Sequence, residues 1–94
     1  MSSNDFPMSV RLAVYARSGG YCERCGGPLA RGEFHHVLPR KMGGTRRVLN
    51  TVDNCLLIPP ECHRYIHMNP SESYLKGWLL EDTAENVEKV SNHA

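Results

Sequence analysis

Apolar positions in the first part of the chain recur at helical spacing and later give way to short strand-length runs. Val10, Ala13 and Val14 fall about one turn apart between Met8 and Arg17, and Gly19-Gly20 follows, which predicts a helix ended by glycine. Phe34 to Leu38 and Cys55 to Ile58 are short apolar runs that predict an antiparallel hairpin across a long intervening loop. After the second run, Pro60 suits a first helical position and Glu61 favours its positive end. With Asn69-Pro70 as a stop, they predict a helix of about two turns over 60–68. Ser71 to Lys76 predicts a short helix ended by Gly77, and Trp78-Leu79-Leu80 adds either a strand or an apolar lid. Residues 1–7 and 81–94 are polar and expected to be flexible or peripheral, with weak helical character after Thr83. Together these elements predict a single α+β domain over residues 1–94, with its core at about 10–80: a hairpin, a helix packed on it, and an N-terminal helix to one side.

Composition narrows the class. A chain of 94 residues that is 40% hydrophobic can bury only a modest core, and domains of this size are often reinforced by a metal or by disulfides. No apolar run approaches membrane-spanning length and no charged-then-apolar signal opens the chain, so the expectation is a cytoplasmic protein without a membrane segment. The net charge of +1 hides an asymmetry. Residues 11–47 carry Arg11, Arg17, Arg24, Arg31, Arg40, Lys41, Arg46 and Arg47 against Glu23 and Glu33, a local +6. Residues 72–90 carry five acids against Lys76 and Lys89, a local −3. The basic half would draw a polyanion, and DNA is the natural candidate. A merely solvated charged face is the competing account. It is weakened because Arg40, Lys41, Arg46 and Arg47 all lie in the loop between a histidine pair and Asn54.

The chemistry gathers between Glu33 and His67. Four of the five histidines fall there: His35, His36, His63 and His67. On a helix, His63 and His67 project from one face about one turn apart and can share a metal. Cys22-x-x-Cys25, together with Cys55 and Cys62, suggests a metal knuckle or a redox pair in a reducing compartment, and the chain lacks the βαβ context of a thioredoxin-like site. Taken singly, each feature has a bland explanation: Asn54 as a turn residue, His63 and His67 as surface histidines. Their order along the chain is what lifts them above it.

That order resembles the HNH, or ββα-metal, nuclease family: His35-His36, then Pro39, Gly43-Gly44, Asn54, and Cys62-His63 with His67 one turn further on. The His-His start and closing His-x-x-x-His are similar to bacterial toxin DNases, and the compact frame with an early Cys-x-x-Cys to small phage-type HNH proteins. The resemblance implies a metal-dependent endonuclease that nicks or cuts DNA, leaving 5′-phosphate and 3′-hydroxyl ends. His36 would be the general base, a role that suits the histidine side chain because an imidazole is mostly neutral yet still basic near pH 7. His35, on the opposite strand face, would hold one divalent ion together with His63 and His67, so that His63 counts as both catalytic residue and ligand. An all-imidazole shell favours manganese, nickel, zinc or cobalt over magnesium. Asn54 would tie the loop to the hairpin so that His36 stays aimed, and Arg40, Lys41, Arg46, Arg47 and Arg64 would contact phosphates.

In family members that carry a structural zinc, a second Cys-x-x-Cys ends just before the helix histidine. Cys62 takes its last position here, but Pro59 stands at its first. The resemblance therefore implies a structural zinc on Cys22, Cys25 and Cys62. Cys55 lies four residues before Pro59, about 13 Å along an extended strand, and can be a fourth ligand only if that strand bends or ends early. A phage-type frame further implies work beside DNA-packaging machinery or in homing. The alternative is a noncatalytic zinc-binding module that recruits nucleic acid or protein; only the enzyme needs His36.

Overall fold

The computed structural model describes residues 6–39 and 49–91. In chain order the elements are helix α1 (Met8–Ser18), strand β1 (Glu33–His36), a 3₁₀ turn (Val52–Asn54), strand β2 (Cys55–Ile58), and helices α2 (Pro60–Met68), α3 (Pro70–Lys76) and α4 (Ala84–Val90). Helix α1 ends where predicted, at Gly19, whose φ of 65° lets its N–H cap the Tyr15 carbonyl without a Cβ clash. Gly77 ends α3 in the same way, with φ 83°. Pro60 and Pro70 each stand at a helix start, where their missing N–H costs nothing.

The two strands pair antiparallel with Glu33 opposite Ile58, Phe34 opposite Leu57, His35 opposite Leu56 and His36 opposite Cys55. Side chains alternate between the faces of this hairpin, and the alternation sorts the core into two clusters. Cys55 and Leu57 face one side, buried with Phe6 and Val14 and joined by Val10 and Phe34. Leu56 and Ile58 face the other, with Cys22, Cys62, Ile66 and Leu79. The hairpin is thus the middle layer, with α1 on one side and α2 on the other. Because His35 and His36 are neighbours on β1, they are sent to opposite layers.

Arg17 stitches the layers together. Its guanidinium donates from Nε and Nη2 to the Glu23 carboxylate at 2.6 and 2.7 Å, and also to the backbone carbonyls of Val52 and Cys55. Glu23 Oε1 in turn accepts the Leu57 N–H at 2.9 Å. Although Arg17 counts toward the basic half of the chain, its donors are spent internally, joining α1 to the hairpin.

Three further expectations change in detail. The strand starting at Phe34 instead starts at Glu33 and ends at His36, since Val37 and Leu38 turn to bond Asn54. Trp78-Leu79-Leu80 forms no strand; Leu79 is buried in the α2-side cluster and the Leu80 N–H bonds the Val37 carbonyl, so the segment covers the hairpin end. The helical tendency after Thr83 becomes α4, capped by the Thr83 hydroxyl, and it is docked rather than loose because Val90 is buried and its carbonyl accepts from Thr51. Among the described residues no helix is long and apolar enough to cross a membrane.

Candidate active site and metal centres

Helix α2 presents His63 and His67 on one face, with ring centroids 5.1 Å apart, while Cys62 and Ile66 point into the core. Strand β1 sends His35 to the same place: its ring lies 5.0 Å from that of His63 and 5.7 Å from that of His67. One donor nitrogen from each of the three comes within 4.8 Å of the others. Their burial is graded, from His35 in the core through half-buried His63 to exposed His67, so the cluster opens to solvent on the His67 side.

Hydrogen bonds fix which nitrogen His35 and His63 can offer. His35 Nε2 lies 2.9 Å from the Trp78 carbonyl oxygen, which only accepts, so Nε2 carries the proton and Nδ1 holds the free lone pair. His63 Nδ1 lies 2.8 Å from Glu33 Oε1, which leaves Nε2 free. A carboxylate or carbonyl behind each imidazole is the usual support of a metal-binding histidine. Burial, opposed by the Trp78 bond and added to by the neighbouring imidazoles, pushes the His35 pKa down to about 4. Partial burial and the proximity of His63 lower that of His67. Both rings are therefore held neutral near pH 7, the form that binds a divalent cation. Three neutral nitrogen donors with an open side suit a first-row divalent ion that keeps a coordination position free.

His36 stands apart on the other hairpin face. Its ring stacks on Phe6 with centroids 4.2 Å apart and planes 21° from parallel. Its Nε2 donates to Asn50 Oδ1 at 2.7 Å, so Nδ1 is the atom left to accept a proton. Asn54 is fully buried and makes three bonds: Oδ1 accepts the Leu38 N–H at 2.6 Å, and Nδ2 donates to the carbonyls of Leu38 and Leu49. It joins the end of β1 to the chain leading to Asn50, which in turn holds His36.

The second cluster lies where the Cys22–Cys25 turn meets the start of α2. The Sγ of Cys62 is 3.6 Å from that of Cys22 and 3.7 Å from that of Cys25. The N–H groups of Arg24 and Cys25 both donate to Cys22 Sγ. The Gly27 N–H, followed by the neighbouring thiols, lowers the Cys25 pKa, whereas burial pushes Cys62 up to about 11. The Arg24 guanidinium lies 4.1 Å above the Tyr65 ring and 5.0 Å from that of Trp78. Cys55 does not join this cluster; the strand runs straight, and the thiol is buried on the α1 side, where desolvation raises it to about 12.

Of the residues singled out from the sequence, His35, His63 and His67 come together, as do Cys22, Cys25 and Cys62, while His36 and Asn54 are linked through the 49–54 segment. Arg64 is exposed on α2. Arg40, Lys41, Arg46 and Arg47 lie outside the described residues. Sequence reasoning missed Glu33, Asn50, Phe6 and Arg24. Glu33 had a signal, since a residue two before His35 on a strand shares its face; Asn50 sits in an aperiodic segment and had none.

Comparison with known proteins meets this geometry. The chain is 34% identical over 74 residues to the Type IV methyl-directed restriction enzyme EcoKMcrA of Escherichia coli (strain K12). The match takes in 70% of the chain and 25% of that relative, so the chain spans about a quarter of its length. A family model, HNH endonuclease, matches residues 22–68. Since that segment is half of the chain and runs from the first cysteine of one cluster to the end of the helix that carries the other, the chain belongs to the HNH endonuclease family.

Proposed function

We infer that the protein hydrolyses DNA phosphodiester bonds with His36 as general base and one divalent ion held by His35, His63 and His67. What carries this reading is the division of labour among the histidines: three imidazoles converge on one point, while the fourth is held separately with a free Nδ1. His35, His63 and His67 would hold the ion, which would supply Lewis acidity at the phosphate and the 3′-oxygen. His36 Nδ1 takes the proton of the attacking water, while Asn50 keeps the ring from rotating away and Phe6 covers its face. The water oxygen bonds to phosphorus, the bond to the 3′-oxygen breaks, the departing 3′-oxygen takes a proton from solvent, and the ends are a 5′-phosphate and a 3′-hydroxyl. Asn54 acts at one remove by holding the segment that bears Asn50.

Arg64, with Arg40, Lys41, Arg46 and Arg47, takes the backbone phosphates on either side of the cut, which gives affinity without reading base edges. The relative's restriction setting, and the packaging or homing setting of phage-type proteins, would both use this one reaction; sequence choice in either comes from elsewhere than the residues named above.

The test is nicking of supercoiled plasmid by chelated protein with manganese, nickel, zinc, cobalt or magnesium restored one at a time, followed by labelling of the ends. Metal-dependent nicking with ligatable 5′-phosphate ends is expected, strongest with the transition metals. No nicking with any of the five, alongside undiminished DNA binding, would replace the enzyme with a noncatalytic zinc-binding module.

A further inference from the structure

Among the described residues, the cysteine cluster is one donor short of a closed site. Its sulfur separations of 3.6 and 3.7 Å match the edge of a tetrahedron around an ion with metal–sulfur bonds of ~2.3 Å, which is about 3.75 Å. The third pair, Cys22 and Cys25, also lies within 4.8 Å, so the three sulfurs already form one face for an ion. Among the described residues, the group that could hold an ion consists of Cys22, Cys25 and Cys62, and no fourth histidine, cysteine or carboxylate belongs to it. Cys55, the remaining thiol, is buried on the far face of the hairpin with Phe6 and Val14. Pro59, three residues before Cys62 and bonded to its N–H through the Pro59 carbonyl, has no side-chain donor. Cys25 is exposed, so the cluster reaches the surface.

Charge points the same way. Three thiolates on a divalent ion carry a net −1, and the Arg24 guanidinium, held over Tyr65 and Trp78, is the cation placed to offset it. With that balance reached, the fourth ligand has no need to be an anion supplied by the fold.

We propose that the three-thiolate site of Cys22, Cys25 and Cys62 holds a divalent ion whose fourth position is open to solution, filled by water and exchangeable for a small thiol. This rests on the cluster being a metal site, and the test separates the two claims. In the exchange the thiol gives its proton to buffer, its sulfur displaces the bound water, and no oxidation state changes. The site then differs from a closed structural zinc in kind: its metal is accessible to ligands from outside.

The experiment loads the full-length H67A chain, which lacks one imidazole of the histidine cluster, with one equivalent of cobalt(II) and follows the thiolate-to-cobalt charge-transfer absorption, so that added thiol is read at the cysteine cluster. Titration with 2-mercaptoethanol should raise that absorption saturably by about one third, as three sulfur ligands become four, with the cobalt content per chain unchanged after desalting. The P59C variant, which repeats at α2 the spacing of Cys22 and Cys25, should show the stronger absorption from the start and ignore the added thiol. Should that variant fail to fold, X-ray absorption of the H67A chain loaded with a single zinc, so that the histidine cluster adds no signal, decides, with three sulfurs and one lighter neighbour expected. An absorption unmoved by thiol, or four sulfurs in that chain, overturns the open position; absence of any charge-transfer band overturns the metal site itself.

Discussion

Glu33 shows how much a single side chain contributes here. It lies on the same strand face as His35, and its carboxylate holds the proton of His63 Nδ1, so it sets the tautomer of a histidine in the proposed metal site while remaining outside that group. The E33A variant should bind zinc at the histidine cluster about 10- to 100-fold more weakly, with E33Q recovering part of the loss, as read by calorimetric titration. Unchanged affinity in E33A would show that His63 needs no such support. His35 gives a second prediction, in the metal-free protein. Burial holds its pKa near 4, below the ordinary histidine value of about 6.5, so between those values the unfolded chain takes up a proton that the folded chain refuses. Its contribution to stability is complete above about pH 6.5 and is lost as pH falls toward 4, by about 3 kcal/mol at most. Thermal melts of chelated protein from pH 7.5 to 4.5 should fall along that course, and H35Q should flatten it; identical pH profiles for the two would contradict the assignment.

At the scale of elements, the hairpin is held by polar ties as much as by its apolar faces. Arg17 bridges α1, the Glu23 turn and β2 through four hydrogen bonds. Truncation in R17A leaves the Glu23 carboxylate and two carbonyls short of a partner and should cost about 1–3 kcal/mol in denaturant unfolding. DNA affinity of the folded variant should stay the same, whereas a phosphate-binding Arg17 would weaken it and reduce its salt dependence. Much of this level was legible in the sequence. Glycines at 19 and 77 and prolines at 60 and 70 marked helix ends because each had a backbone geometry that others disfavour. The i, i+4 spacing of His63 and His67 placed both on one face, and the neighbouring positions of His35 and His36 implied opposite ones. The ties were not legible. Arg17 reaches residues 35 and 38 positions away, and no local pattern announces such a partner. Asn50 likewise acts through a segment without periodicity, so only the folded path brings it to His36.

For the whole molecule, the consequence of small size is a core split into two thin layers by one hairpin. Each of the two candidate metal groups joins α2 to another part of the chain, β1 in one case and the Cys22–Cys25 turn in the other. Metal binding should therefore be coupled to folding. Equilibrium dialysis is expected to give two zinc ions per chain, and chelation should lower the melting temperature by at least several degrees. Binding of a single ion, lost in the C62A variant but kept in H67A, would leave the histidine cluster without a metal and remove the basis of the catalytic account.

The most direct test of that account is plasmid nicking by H36A compared with the natural chain, with metal content and DNA affinity measured on the same samples. His36 lies outside both metal groups, so the variant should keep its metal and its DNA while nicking falls by at least about 100-fold. Nicking at the natural rate, with metal and DNA still bound, would contradict the assignment of His36 as the base.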